Sequence, residues 1–294
     1  MSGAVGSRRW LVTGAGGQLG RAFLAQARAN GTAALGMSHA ELDVADADAL
    51  KRALDRAQPD AVLNCAAFTA VDRCESERAL AERANALAPG LLAQLCRGGP
   101  LLVHLSTDYV FDGCASRPLA EDAPTRPLSA YGRTKLEGEE AIRAARGEHL
   151  IVRTQWVFGA GANFVRTILR AAGQGQPLRV VDDQTGRPTW TGSLAAAIAA
   201  AVAAGARGTL HLANEGVASF FDLACAAVDE GVRRGLCPRV AVQAIPTAEM
   251  PRPATRPAYG VLDLSRARAL GIRSPHWRDA LASHLDAERE GRDA

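Results

Sequence analysis

A chain of 294 residues, 48% of them hydrophobic, can bury one large core or two medium ones. Its formal net charge of +3, from 34 Lys and Arg against 31 Asp and Glu, is nearly balanced, and the basic residues are scattered, so nothing argues for a nucleic-acid or anionic-membrane partner. Six cysteines without a C-x-x-C spacing, no apolar run near the ~18 residues of a membrane span and no leader before the first strand make a reduced, cytoplasmic protein the expectation.

Arg9-Trp10-Leu11-Val12-Thr13 predicts a strand running into Gly14-Ala15-Gly16-Gly17-Gln18-Leu19-Gly20 and a helix over 18–29. Glycines permit a tight turn and close approach to a pyrophosphate, and the free N–H groups of a helix start favour its charge. Leu19 occupies the last glycine position of G-x-G-x-x-G, so the spacing is instead G-x-x-G-x-x-G through Gly14, Gly17 and Gly20. The expected cofactor cradle is Gly14, Gly16, Gly17, Gln18 and Leu19. A second strand over 32–37 ends in Met37-Ser38-His39, with no carboxylate to hold a ribose 2′-OH. NADPH is therefore the expected cofactor, with NADH possible because Glu41 is close. Asp43 and Val44 should face the adenine, ahead of a helix over 46–57 with Asp46 as its N-cap. After a third strand, 61–64, the small residues Ala66 and Ala67 let a cofactor pass closely. A long helix is expected over 75–96, with Asn85 either reaching the site or satisfying backbone.

The apolar run Leu101-Leu102-Val103-His104-Leu105 predicts a buried strand ending in Ser106-Thr107-Asp108-Tyr109. A helix over 131–143 then places Tyr131 and Lys135 one turn apart on one face. Alone, that spacing also suits a solvated tyrosine beside a surface lysine. At the carboxyl edge of a parallel sheet it suits catalysis: a nearby ammonium lowers the phenol pKa from ~10 towards the working range, and Thr107 holds a carbonyl oxygen against it. Tyr131 and Lys135 are also expected to touch the cofactor.

Further strands are expected over 150–153 and 210–213, with a strand and a turn over 180–189. Helices are expected over 163–172, 195–204 and 218–234, the last with Ser219 as N-cap, and a Pro- and Arg-rich loop over 246–257. Strand and helix alternate through the first half, which predicts an α/β fold: a doubly wound parallel Rossmann-type sheet with a smaller α/β substrate-binding domain. The expected division is 1–152 for dinucleotide binding and mainly 153–294 for substrate, with some later segments returning to the sheet.

These motifs, with Ser106-Thr107-Asp108-Tyr109-Val110-Phe111, Thr154-Gln155-Trp156-Val157-Phe158-Gly159 and Asp183-Gln184-Thr185-Gly186-Arg187-Pro188-Thr189, make the chain resemble the dTDP-4-dehydrorhamnose reductase family of extended short-chain dehydrogenases over nearly its whole length. The resemblance implies reduction of a dTDP-4-keto-6-deoxysugar, with Tyr131 as proton donor, Lys135 as its partner and ribose ligand, and Thr107 orienting the carbonyl. It further implies that Asp108 and Trp156 border the sugar and that Asn163 and Arg256 serve the nucleotide, a task Arg252 is equally built for. Gln155 replaces a small residue of relatives, which implies a narrower pocket. Ala22 and Trp190-Thr191-Gly192 lack the carboxylates of a magnesium-bridged dimer, so no metal is expected, and a monomer or homodimer remains open. A related 4-ketoreductase for another nucleotide sugar, or a non-catalytic regulatory subunit of the same fold, are the alternatives.

Overall fold

The computed structural model describes residues 8–291, so the ends of both expected domain ranges, 1–7 and 292–294, lie outside the described residues. In chain order the strands are β1 Trp10–Thr13, β2 Ala34–Met37, β3 Ala61–Asn64, β4 Leu101–Thr107, β5 His149–Thr154, β6 Val157–Phe158, β7 Leu178–Val181, β8 Thr185–Gly186, β9 Thr189–Trp190, β10 Gly208–His211, β11 Ala218–Ser219 and β12 Val242–Ile245. The helices are α1 Gln18–Ala29, α2 Ala47–Ala57, α3 Arg73–Ser76, α4 Arg78–Glu82, α5 Ala88–Cys96, α6 Ala130–Ala144, α7 Phe164–Ala172, α8 Thr191–Ala203, α9 Phe220–Arg233, α10 Ser265–Ala269 and α11 Trp277–Arg289.

Six strands form one parallel sheet in the order β10-β5-β4-β3-β1-β2. Successive strand residues point to opposite faces, and both faces are buried. Trp10, Val12, Leu63, Val103 and Val152 meet Phe23 of α1 and Leu194 and Ile198 of α8, while Leu11, Val62, Leu102 and Ile151 meet Leu50, Leu92 and Ile142 of α2, α5 and α6. The expected α/β class with a parallel sheet holds. The order in which strands are added reverses between β1 and β3, which run parallel, and it is beyond the carboxyl ends of such neighbours that an open sheet leaves a crevice. From the second half, β10 pairs with β5 and α8 packs on α1. A second apolar cluster, Phe158, Val165, Leu223, Trp277 and Leu285, is gathered from the later elements.

The helix expected over 75–96 is broken. Glu77 leaves the helical region (φ −110°, ψ 50°), and Arg83–Leu87 forms a π-helical turn before α5. Pro89 explains the turn: it has no N–H to give the carbonyl of Asn85, four residues back, so the hydrogen-bond ladder changes register there. Asn85 thereby faces inward, where it accepts from Phe68 N (2.8 Å) and donates to Phe68 O (3.1 Å) and Thr134 Oγ1 (3.2 Å). It satisfies the backbone of the loop after β3. The sequence reading also missed β12, α10 and α11, although Trp277, Leu281 and Leu285 recur at the four-residue spacing of a buried helical stripe. Among the described residues no helix is long and apolar enough to cross a membrane.

Candidate active site

Three adjoining cavities lie beyond the strand ends. The first, about 600 Å³, is lined by Gly14, Gly16, Gly17, Asp43, Val44, Ala66 and Ala67, all anticipated from sequence. Gly14 has φ +65°, and a Cβ there would stand 2.6 Å from Ala66 N; one at Gly20 would stand 2.5 Å from Gly14 O. Both positions therefore require glycine to keep β1, β3 and α1 this close. Gly17 caps α1 with no side-chain hydrogen bond, so the first N–H groups of the helix stay available to a phosphate. At the tip of β2 the carboxylate of Glu41 accepts from Ser38 N (2.8 Å) and Ser38 Oγ (2.7 Å), which hold its carboxyl below the usual range and engage it locally. Asp43 is ion-paired with Arg83, which lines the cavity beside His39. Sequence reasoning did not single out Arg83, because only the broken helix brings it to this cavity.

The second cavity, about 520 Å³, shares Gly17, Cys65 and Ala67 with the first. Gln18 and Leu19 form one wall, and Thr107, Asp108, Tyr131 and Lys135 the other, so residues nearly a hundred positions apart in sequence converge. Ser129 caps α6, its hydroxyl accepting from Gly132 N (3.2 Å), which sets Tyr131 in the first turn. The Tyr131 phenol is half-buried, faces the Thr107 hydroxyl and lies edge-on to Tyr109 (ring centroids 5.4 Å apart).

The expected charge relation between Tyr131 and Lys135 is not what the geometry gives. Burial pushes the phenol pKa up, against the hydrogen bond to Thr107, so Tyr131 is a neutral O–H group. Lys135 is buried, with Nζ donating to Leu105 O (2.6 Å) and lying 3.2 Å from His104 Nε2; burial draws its pKa down to about 8. Its nitrogen is tied to the strand below the phenol, so desolvation outweighs the expected attraction. A protonated phenol is the form a general acid needs.

Asp108 is also buried, and its pKa is raised to about 7 by that burial, opposed by hydrogen bonds from Thr107 Oγ1 (3.1 Å) and Gln155 Nε2 (3.2 Å). Gln155 lines this cavity, and its amide is also engaged beyond Asp108. Its Nε2 also donates to Gly260 O (2.7 Å), and its Oε1 accepts from Leu262 N (3.3 Å). The residue is a strut between Asp108 and the 260–262 segment.

Trp156 lines the same cavity in a left-handed backbone conformation, φ +48°, that non-glycine residues rarely adopt. Its ring stacks on Phe220 (3.7 Å, 13° between planes). A Cβ at Gly186 would stand 2.7 Å from that indole. Gly186→Ala is therefore expected to displace the ring and cost ~1–3 kcal/mol, the range for overpacking, read as a lower midpoint in urea unfolding.

Asn163 and Arg256, grouped by resemblance, do not share a cavity. Asn163 sits by Gln18 in the second: its Oδ1 caps α7 through Arg166 N (3.0 Å), and its Nδ2 donates to Gly159 O (2.6 Å) and Gln18 Oε1 (3.3 Å). An amide so fully engaged anchors the loop. Arg256 lines the third cavity, about 630 Å³, with Arg179, Arg252, Phe164 and Phe220. Its guanidinium forks onto both oxygens of Asp72 (3.0 Å each), which holds that carboxyl below its usual range. Phe220 borders both the second and third cavities, and neither it nor Arg179 stood out in sequence, where one looks like core and the other like surface. Among the described residues no three His, Cys, Asp or Glu side chains gather as a metal-ligand set, and Ala22 and Trp190 line a groove between α1 and α8.

A family model described as the RmlD substrate binding domain matches residues 8–290. A dTDP-4-dehydrorhamnose reductase of Mycobacterium tuberculosis is 45% identical over 292 residues, covering 96% of this chain and 93% of the relative. A probable dTDP-4,6-dihydroxy-2-methyloxan-3-one 4-ketoreductase of Streptomyces antibioticus is 44% identical, covering 93% of each. The crystal structure of dTDP-4-dehydrorhamnose reductase from Bacillus anthracis in complex with NADP superposes with a TM-score of 0.90 at 30% identity, covering 95% of this chain and 99% of that one.

Proposed function

The chain belongs to the dTDP-4-dehydrorhamnose reductase family, and from that premise we propose that it reduces the 4-keto group of dTDP-4-dehydro-L-rhamnose to give dTDP-L-rhamnose, with NADPH as reductant and Tyr131 as proton donor. It is an NAD(P)H-dependent oxidoreductase of the short-chain dehydrogenase type. The observation that carries the reading is the single cavity onto which both the glycine turn and the Tyr131 phenol open.

The residues fit a dinucleotide, since Gly14 and Gly20 let the turn lie against the end of β3 and α1 begins beside the cavity with no side chain on its first N–H groups. Gly14, Gly16 and Gly17 with the start of α1 hold the pyrophosphate, Asp43 and Val44 border the adenine, and Ala66 and Ala67 leave room above β3. The engagement of Glu41 by Ser38 leaves no free carboxylate at the ribose and favours the phosphorylated cofactor. Bound NADPH supplies the hydride for the carbonyl carbon. Thr107 orients the carbonyl oxygen, Tyr131 gives it the proton as negative charge develops, and Lys135 returns a proton to the phenolate, to be recharged from solvent. Asp108 and Trp156 border the sugar, and the arginine-lined third cavity takes the nucleotide. The division between cofactor and substrate work falls near residue 152, with α8 and β10 completing the first unit.

Arg256→Ala is expected to raise KM for the nucleotide sugar about tenfold with kcat nearly unchanged, because the guanidinium lines the third cavity and not the one that holds Tyr131 and Lys135. Initial rates at saturating NADPH measure it; an unchanged KM removes Arg256 from the substrate site. The Streptomyces antibioticus relative favours a second reading, reduction of a differently modified dTDP sugar. NADPH oxidation with dTDP-, UDP- and GDP-linked 4-keto-6-deoxysugars, with product configuration read by NMR, separates the two. Turnover of no dTDP sugar rejects both and leaves a regulatory role.

A further inference from the structure

Thr13, Asn64 and His104 occupy one row across β1, β3 and β4: Thr13 is in register with Asn64, and Asn64 with His104. All three are polar and buried, Thr13 and Asn64 at the carboxyl ends of their strands. Thr13 Oγ1 lies 2.7 Å from Asn64 Oδ1, Asn64 Nδ2 lies 3.0 Å from His104 Nδ1, and His104 Nε2 lies 3.2 Å from Lys135 Nζ. The row therefore joins the residue before the glycine turn to the lysine of the reacting cavity.

One contact fixes the sense of the whole row. Ala66 N–H, a backbone group that only donates, points at Asn64 Oδ1 (3.1 Å). The amide oxygen must be on that side, so Nδ2 is the atom facing His104, and it donates to Nδ1. A neutral imidazole that accepts at Nδ1 carries its hydrogen on Nε2. That hydrogen is aimed at Lys135 Nζ. An ammonium has no lone pair to accept it, whereas an amine does, and Nζ still has hydrogens for Leu105 O.

We propose that His104 is a positioning residue for the reduction: its Nε2–H, oriented through Asn64 by Ala66 N–H, stabilises Lys135 as the neutral amine that remains once the lysine has returned a proton to the Tyr131 phenolate. The proposal rests on the reductase reading above. No new reactant enters: the proton lost from Lys135 restores the Tyr131 O–H, and solvent recharges the amine. His104 is itself buried against the lysine, and both burial and that neighbour keep it neutral, as the assigned tautomer requires. The other groups that face Lys135 are Glu139, one turn further along α6, and Cys65 beyond β3; both favour the ammonium, opposing the histidine.

The test is the alkaline limb of kcat, which this account assigns to Lys135. His104→Leu removes the N–H, destabilises the amine and is expected to move the limb upward by about half to one pH unit. His104→Gln, whose amide can still present an N–H to the lysine, is expected to leave it in place. An unchanged limb in His104→Leu, or equal shifts in both variants, overturns the proposal. If neither variant folds, the 15N resonances of the wild-type His104 ring decide, since they need no activity. A protonated Nε2 and bare Nδ1 uphold the assignment, and the opposite tautomer or an imidazolium refutes it. A wild-type protein that reduces no nucleotide sugar would fail the reductase reading while this tautomer measurement still stood.

Discussion

Tyr131→Phe is expected to lower kcat by ~10²-fold or more while leaving NADPH affinity nearly unchanged, the scale on which a positioned general acid acts. The substitution deletes one oxygen. The ring still packs edge-on to Tyr109, and nothing in the cradle at Gly14 to Gly20 changes. Because burial keeps the phenol protonated, the wild-type residue enters the reaction as a donor without needing the lysine to make it one. The loss should therefore fall on kcat and kcat/KM together, as for a group whose contribution is confined to the transition state. Stopped-flow rates of NADPH oxidation, with cofactor affinity read by fluorescence, measure both quantities. A variant that keeps normal turnover removes Tyr131 from the mechanism.

Gly14→Ala should act at the opposite wall, weakening NADPH binding by about five- to thirtyfold from backbone strain alone. A left-handed backbone costs a residue with a Cβ ~1–2 kcal/mol, and each 1.4 kcal/mol is a factor of ten in an equilibrium constant. The added carbon would also stand within 2.8 Å of three backbone atoms of Cys65 and Ala66, so the turn must part from the end of β3. That parting opens the floor on which the diphosphate is held. Titration by isothermal calorimetry gives the affinity, and circular dichroism checks that the sheet survives. Unchanged affinity in a folded variant rejects the glycine turn as the cofactor cradle.

The parallel sheet and the glycine turn that opens onto the cavities were legible in the sequence because each depends on short-range rules. Alternating strands and helices, glycines at a strand-to-helix turn and an N-cap such as Asp46 are local signals, and Asp46 does accept from Asp48 N and Ala49 N. The α1 bounds match the reading residue for residue. What the sequence hid is long-range. Pro89 carries the signal for the π turn, yet only the packed helix reveals that Asn85 is the residue turned inward. Gln155 reads as a bulky pocket residue, and only the fold supplies the carbonyl of Gly260, 105 residues away, that engages it. Asn163 and Arg256 carry the same nucleotide role by resemblance and end in different cavities. The sign of the Tyr131 shift was missed for the same reason: spacing shows that a lysine is near, but not that its nitrogen bonds to Leu105 O.

The central claim is that the glycine turn and the Tyr131 phenol serve one reacting centre, and a crystal structure with NADP⁺ and a dTDP-sugar bound together tests it most directly. The account predicts the nicotinamide in the cavity between Gly17 and Lys135, with Tyr131 Oη and Thr107 Oγ1 both within hydrogen-bonding reach of the sugar O4. A nicotinamide bound elsewhere, or a sugar O4 out of reach of Tyr131 with both ligands in place, contradicts it.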